Sequence, residues 1–261
     1  MSGTARIDLF DAIGAGFFGN GVKSADVIAA IGRAKGADEL EIHIGSPGGD
    51  VWEGLSIYSN IRKFPGKKTT VVHGLAASIA SIIALAGDRR TTVPSGMWMI
   101  HEPNVLALGN AEDMHEHGAR LEQVRDMMSA IYSERTGMTR EAALAAMTAE
   151  TWYDAQAAKE HGFTHEIASA GAAPAMSASA VALLAKFQKA PASIVASARA
   201  STVPAAGSTL SATEREIIRM SGSTPEQLVA LRGSQVAVEL SAEERTRELA
   251  KIARFTGVPQ R

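Results

Sequence analysis

The sequence contains no cysteine, which excludes disulfide bonds, thiol chemistry and metal sites built on thiolates. A formal net charge of -2 gives no electrostatic reason to expect a nucleic acid as partner. The longest apolar stretches are interrupted too early to span a bilayer, and no apolar segment of the signal-peptide type precedes the first acidic residue, Asp8. We therefore expect a cytoplasmic protein that acts neither on a membrane nor on nucleic acid.

Strand and helix patterns alternate over the first two thirds of the chain. Hydrophobic residues make up 46% of the 261 residues, so a sizeable core is possible. Short apolar or alternating runs predict strands over residues 6–10, 39–45, 67–73, 91–100 (one or two short strands) and 163–167. Apolar residues at helical spacing predict helices over residues 24–35, 51–63, 76–86, 111–135, 139–147 and 155–161. This order is typical of an α/β domain with a mainly parallel sheet.

Candidate N-caps precede or open three of these helices: Ser24, Thr139 and Asp154. The composition then changes after residue 168, where alanine, serine and proline become dominant. This composition is typical of a mobile linker, here with one short helix.

Two related segments follow the linker, and each begins with a capping-box pattern, Ser211 with Glu214 and Ser241 with Glu244. Two such helices cannot bury much area by themselves, so they either dock on a surface or form a solvated tail. The sequence thus predicts three parts: a globular domain over 1–168, a linker over 169–209 and a helical C-terminal extension over 210–261.

The stretch between Val71 and Pro103 offers a nucleophile and a base. A β-branched run that ends at Gly74 predicts a buried strand and its exit turn, and the small residues after it predict the start of a buried helix. Ser78 would then lie at the positive end of a helix, where developing negative charge is stabilised. His101 ends a second apolar run, and it can take the serine proton if that strand lies beside the helix. Taken alone, a serine or a histidine in such a position more often has a structural role.

Gly48 and Gly49 follow one predicted strand and precede a helix. Such a pair can be half of a phosphate-binding turn, but the dinucleotide fingerprint and the Walker lysine are both missing, so we expect no nucleotide cofactor. Alternatively, the glycines let the backbone come close to a substrate and point N–H groups at an oxyanion, with Pro47 stiffening the turn. A tight turn without a chemical role is the third possibility.

Three blocks together resemble the signature blocks of the ClpP-type serine peptidases. They read Ile-Gly-Ser-Pro-Gly-Gly-Asp-Val from Ile44, Gly-Leu-Ala-Ala-Ser-Ile-Ala from Gly74 and Met-Ile-His-Glu-Pro from Met99, in the family's order and spacing. The resemblance extends from Arg6 to Ile167. It implies a ClpP/crotonase-like fold of repeated β-β-α units, a Ser-His-Asp triad and stacked homo-oligomeric rings that enclose the active sites.

The same resemblance implies roles for single residues. Ser78 matches the nucleophile and His101 the general base, and the backbone N–H groups of Gly49 and Ile79 match the oxyanion hole. The third member is an aspartate in the family, and matching the flanking residues without gaps places Glu150 there. A carboxylate that is one methylene longer can still orient an imidazole.

A second acidic residue could complete the triad instead. Asp154 is the nearest rival to Glu150 as the triad acid, although its position before a helix is typical of an N-cap.

The helix predicted over 111–135 matches the family's handle helix, which makes contacts between rings and lines the substrate groove. Its two histidines, His115 and His117, cannot share a helix face well. The other histidines lack partners at metal-ligand spacing, so we expect no metal site.

The family divides by partner. Housekeeping members dock on a ring ATPase, whereas phage and prophage members often carry C-terminal extensions and process capsid and scaffold proteins. Three features favour the second kind, a head maturation protease: the long extension, the Ile79-Ala-Ser sequence in place of the usual Met-Gly, and Glu150 in place of aspartate. We therefore expect a serine endopeptidase that acts without an ATPase. The alternatives are a housekeeping-like subunit that works with a ring ATPase and, from a different class, a crotonase-fold acyl-CoA enzyme or inactive assembly module.

Overall fold

The computed structural model describes residues 3–14, 21–105, 107–169, 178–184 and 186–200. Within these ranges the chain forms seven strands and eight helices. The strands are β1 (Thr4–Leu9), β2 (Glu39–Ser46), β3 (Lys67–Ala77), β4 (Arg89–Thr92), β5 (Met97–Ile100), β6 (Thr151–Tyr153) and β7 (Glu166–Ile167). The helices are α1 (Ser24–Arg33), α2 (Val51–Arg62), α3 (Ile79–Ala84), α4 (Ala111–Thr136), α5 (Arg140–Thr148), α6 (Ala155–Glu160), α7 (Ala178–Leu184) and α8 (Ala192–Ala200).

The strands form one sheet in the order β1-β2-β3-β4-β7, with β5 paired to β3 and β6 paired to β5. Every pairing is parallel except that of β5 with β6. This confirms the predicted α/β class with a mainly parallel sheet. None of the helices in the described ranges is both long and apolar enough to cross a membrane.

Strand β3 positions the site because it changes neighbours halfway along its length. Residues 69–72 pair with β4, and residues 75–77 pair with β5. Gly74 lies between the two parts with φ +78°, in a backbone region that glycine adopts readily. The register with β2 also shifts here, which marks a bulge.

The prediction that Gly74 forms an exit turn is therefore wrong. The glycine accommodates the bulge and the strand continues to Ala77, so the helix predicted over 76–86 starts only at Ile79 and ends at Ala84. Because β3 continues to Ala77, Ser78 lies at the C-terminal end of β3, next to β5.

The main core lies between the sheet and the helices, and α3 is at its centre. All six residues of α3 are buried. The second half of α4 packs on the same core through Val124, Met128 and Tyr132, whereas its first half is largely exposed. A smaller cluster joins the residues that precede Ser78 and His101 to α7, namely Leu75, Ala77, Met99, Ala180 and Leu184.

Two of the three predicted N-caps are confirmed. The side chains of Thr139 and Asp154 accept hydrogen bonds from backbone N–H groups in the first turns of α5 and α6. The Ser24 prediction is wrong, because Ser24 is already helical and Lys23 is the N-cap residue. The backbone N–H of Ser24 instead donates to the carboxylate of Glu53.

The stretch interpreted as a linker contains two helices, α7 and α8, where the sequence predicts one short helix. Ala180 and Leu184 of α7 are fully buried, so this part of the chain packs on the domain before it. Alanine-rich composition is compatible with both outcomes, because alanine favours helices once a partner surface is present. The predicted capping boxes at Ser211 and Ser241, with the whole extension, lie outside the described residues.

Candidate active site

Ser78 lies in the turn between β3 and α3 in a strained backbone conformation. Its φ and ψ are 54° and -130°, and a positive φ costs a residue of this kind about 1–3 kcal/mol. Three hydrogen bonds hold the turn: the N–H of Ser78 donates to the carbonyl of Met99 (2.9 Å), and its carbonyl accepts from both the N–H (2.9 Å) and the hydroxyl (2.6 Å) of Ser81. A serine on a sharp turn between a strand and a helix presents its hydroxyl at the C-terminal end of the strand, as nucleophiles do in other hydrolase folds.

His101 follows the last residue of β5, and its Nε2 lies 2.7 Å from Ser78 Oγ. The two residues are 23 positions apart in sequence, and the pairing of Ala77 with Met99 brings them together. The predicted placement of the His101 strand beside the serine is therefore found. With Nε2 as the acceptor, the hydroxyl of Ser78 can pass its proton to the imidazole.

The environment of His101 favours its neutral form. Burial lowers the pKa of His101 below the ordinary 6.5, and the negative charges of Glu150 and Glu102 oppose this effect without cancelling it. Sequence reasoning did not consider Glu102, although its position next to His101 could have indicated it. A neutral imidazole is the form that can accept a proton.

This pKa shift gives a prediction for the pH dependence. The rate at which a fluorophosphonate modifies Ser78 is expected to rise with pH and to reach its plateau with a midpoint below 6.5, because neutral His101 persists to lower pH than an exposed histidine. The measurement is the labelling rate from about pH 5 to pH 8, with tryptophan fluorescence as a control for folding. A midpoint above 6.5 contradicts the prediction.

Glu150 lies beside His101, but its carboxylate is bound elsewhere. It accepts hydrogen bonds from the backbone N–H groups of Gln188 (3.0 Å) and Lys189 (2.6 Å) and from Trp152 Nε1 (3.3 Å). Burial alone would raise the pKa of Glu150, but these hydrogen bonds and the nearby His101 lower it overall. Between described residues, no hydrogen bond joins Glu150 to His101.

Glu150 shares one feature with Ser78. In the described part of the chain, these are the two residues other than glycine with a positive φ, 49° for Glu150. Strained backbone of this kind often occurs at functional sites. The alternative acid, Asp154, instead caps α6 with its carboxylate 2.8 Å from the N–H of Ala157.

The two glycines before α2 allow the backbone to lie directly against Ser78. A Cβ atom at Gly48 (φ +92°) would lie 2.7 Å from the carbonyl oxygen of Ala77 and 2.8 Å from the Cβ of Ser78. One at Gly49 (φ +149°) would lie 2.1 Å from the carbonyl oxygen of Ile13. The N–H groups of Gly49 and Ile79 take part in no hydrogen bond between described residues.

These groups surround a pocket of about 190 Å³. Four of the five predicted site residues line it, and the fifth, Ile79, follows Ser78 directly in the chain. The remaining walls come from two loops, from the start of α2, from α4 and from the segment around α7: Pro47, Val51, Pro103, Asn104, Met128, Leu183, Lys186, Phe187 and Gln188. No pattern in the sequence indicates that the segment around α7 reaches the pocket.

A second pair of histidines meets away from this pocket. His43 Nδ1 and His73 Nε2 are 2.7 Å apart, and Glu41 Oε1 lies 3.2 Å from His43 Nε2. The histidines lie on neighbouring strands, so their spacing along the chain could not reveal the contact. Among the described residues, no group of three or more histidine, aspartate or glutamate side chains could hold a metal ion.

A strained serine beside a histidine at the end of a parallel sheet is the arrangement of a serine hydrolase site. The family comparison agrees with this class. The model of the Clp protease family matches residues 23–171, and the chain belongs to that family.

Three curated relatives carry the name ATP-dependent Clp protease proteolytic subunit. The protein from Chlorella vulgaris is 34% identical over 131 residues, which are 49% of this chain and 65% of the relative. One from Bacteroides fragilis is 31% identical (49% and 63%), and subunit 1 from Streptomyces coelicolor is 30% identical (51% and 62%). The chain thus spans slightly less than two thirds of each relative's length.

A solved structure supports the same fold. A ClpP1 point mutant from Listeria monocytogenes matches with a TM-score of 0.55 at 22% identity, over 63% of this chain and 91% of that chain. The expectation of a ClpP-like fold is confirmed.

Proposed function

We propose that this protein is a serine-type endopeptidase that hydrolyses peptide bonds with Ser78, His101 and Glu150. The observation that carries the proposal is the 2.7 Å contact between Ser78 Oγ and His101 Nε2 on a strained strand-to-helix turn. Membership of the Clp protease family supports the same chemistry.

In the proposed reaction, His101 Nε2 takes the hydroxyl proton while Ser78 Oγ attacks the carbonyl carbon of the scissile bond. The N–H groups of Gly49 and Ile79 donate to the oxyanion that forms. His101 then gives its proton to the leaving amine, which leaves an ester on Ser78. Water, deprotonated by the same imidazole, hydrolyses the ester and restores the hydroxyl.

Glu150 is assigned the third role, that of orienting the imidazole and stabilising its charged form. It lies close enough for its charge to raise the pKa of His101. Its carboxylate is at present held by Gln188, Lys189 and Trp152, so it must shift from this position to form a hydrogen bond with His101.

Fluorophosphonate labelling tests the nucleophile. The protein is expected to gain one covalent adduct, and the Ser78→Ala variant is expected to gain none, because the attacking oxygen is removed. Ser59→Ala is the matched control, since Ser59 is an exposed serine of α2 remote in sequence from the turn. Intact mass and peptide mapping read the result, and equal labelling of Ser78→Ala and Ser59→Ala contradicts the proposal.

The finer proposal is a phage or prophage head maturation protease of the cytoplasm. It would assemble into a homo-oligomeric ring through the exposed first half of α4 and would process capsid or scaffold proteins. The chain continues from Ile167 to Arg261, and such an extension can tether a protease to an assembling shell and raise its local concentration there. Cleavage of a co-expressed capsid protein without ATP supports this role.

The second candidate is a proteolytic subunit that works with a ring ATPase. The names of the curated relatives favour it, since all three are subunits of an ATP-dependent protease. Co-purification with a ring ATPase, and protein degradation only when ATP is present, would select this candidate. An inactive assembly module, the candidate from a different class, predicts a ring that is never labelled.

A further inference from the structure

The segment that follows the catalytic domain packs beside the candidate active site. Ala180 and Leu184 of α7 are fully buried against Leu75, Ala77 and Met99. Ala77 directly precedes Ser78, and Met99 lies two residues before His101, so α7 covers the strand ends that carry both groups. Burial of these two side chains anchors the segment through the hydrophobic effect.

Phe187 closes the side of the pocket next to the base. Its ring lies edge-on to His101, with centroids 5.3 Å apart and planes at 75°, and edge-on to Trp152 at 5.9 Å. Aromatic pairs in this geometry attract each other beyond their buried area. Lys186, Phe187 and Gln188 all line the pocket that contains Ser78.

The same segment occupies the carboxylate of Glu150. One oxygen accepts from the N–H of Gln188 (3.0 Å) and the other from the N–H of Lys189 (2.6 Å). Lys189 Nζ adds a contact to the carbonyl of Ala149 (2.5 Å). A carboxylate oxygen can accept more than one hydrogen bond, but these bonds hold the group in a position in which it makes no hydrogen bond to His101 between described residues.

We propose that α7 and residues 186–189 form an intramolecular cap, which covers the candidate active site and competes with His101 for the carboxylate of Glu150. The inference rests on the proposed function, because it concerns access to Ser78 and completion of the triad. In the capped state, the Ser78–His101 pair is formed but the acid is bound to the cap. Displacement of residues 186–189 opens the pocket and frees Glu150.

The hydrogen bonds from Gln188 and Lys189 to the carboxylate of Glu150 can break while the rest of the cap stays in place. Gln188 and Lys189 are exposed, and the buried anchor consists of Ala180 and Leu184 alone among the side chains described in α7. A protein substrate that fills the pocket can therefore displace residues 186–189 while α7 stays docked. Such a cap prevents hydrolysis of small, weakly bound peptides more than that of tightly bound substrates.

A pair of variants at one position tests the cap in the full chain. Lys189→Pro removes the N–H that donates to Glu150, whereas Lys189→Ala keeps that N–H and removes only the contact of Nζ. A hydrogen bond to a charged group typically contributes enough that its loss shifts a closed–open equilibrium by about tenfold or more. We expect Lys189→Pro to be labelled by a fluorophosphonate at least about tenfold faster than Lys189→Ala, and equal rates would overturn the cap.

Amide hydrogen exchange separates a failed cap from a failed nucleophile. In the Ser78→Ala background, Glu150→Ala is expected to speed exchange in residues 186–189 by about tenfold. Glu102→Ala is the control, because the carboxylate of Glu102 contacts Thr148 instead of the cap. Equal exchange in both variants overturns the cap. Faster exchange in Glu150→Ala without labelling of any Ser78-containing protein supports the cap and rejects the proposed nucleophile.

Discussion

The Ser78→Ala and His101→Ala variants are expected to lose nearly the same peptidase activity, and the double variant is expected to lose no more than either. Oγ and Nε2 are 2.7 Å apart and act in one proton transfer, so removing either partner disables the other. Each loss should reach about 10⁴-fold or more in kcat, since groups that act as a unit have such non-additive effects in serine hydrolases.

The measurement is the hydrolysis of a fluorogenic peptide by the parent protein, the two single variants and the double variant. All four proteins carry Lys189→Pro, so that the cap does not limit the rate. His115→Ala is the histidine control, because His115 is exposed on the first turns of α4. If the two losses in activation free energy add, the double variant is slower by the product of the two single effects. That result would mean that the residues act independently.

Much of this site was predictable because three short blocks of the sequence carry it, and together they resemble the signature blocks of the ClpP-type peptidases. Gly48 and Gly49 follow a strand and precede a helix. Both have a positive φ, and a Cβ atom would collide with Ser78 at the first position and with Ile13 at the second, so only glycine fits there. The patterns around Ser78 and His101 likewise place each residue near the end of a strand, although only the observed pairing of β3 with β5 brings the two together.

The parts that were not predictable depend on contacts between distant segments. Gly74 is a turn residue by local rules, and only the pairing of β3 with two different neighbours turns it into a bulge. The contact of His43 with His73 depends on the register of β2 and β3, which is not visible in one strand. The position of Glu150 was matched by its flanking residues, but its binding to Lys189 could not be, because the linker-like composition hides a docked helix.

Arg90 stabilises the fold in a region outside the pocket that contains Ser78. The guanidinium is buried (4% of the residue is exposed), and burial, together with the charges of Arg135 and Arg62, lowers the pKa of Arg90 to about 10. It donates to four backbone carbonyls near the C-terminal ends of α3, α4 and α6, those of Gly87, Arg135, Gly162 and Phe163. Helix C-termini carry unsatisfied carbonyls and partial negative charge, so a single cation serves the ends of three helices at once.

Arg90→Leu is therefore expected to lower the free energy of unfolding by about 3–5 kcal/mol, because several buried carbonyls lose their donor and an apolar side chain cannot replace it. Arg89→Leu is the matched control: Arg89 is the neighbouring residue, and its side chain is 65% exposed in an ion pair with Glu166. Urea unfolding followed by circular dichroism measures both variants. The expected result is a large shift in midpoint for Arg90→Leu and little for Arg89→Leu, since exposed ion pairs contribute little to stability. Similar midpoints for the two variants would show that water or a rearranged side chain satisfies the carbonyls once the guanidinium is gone.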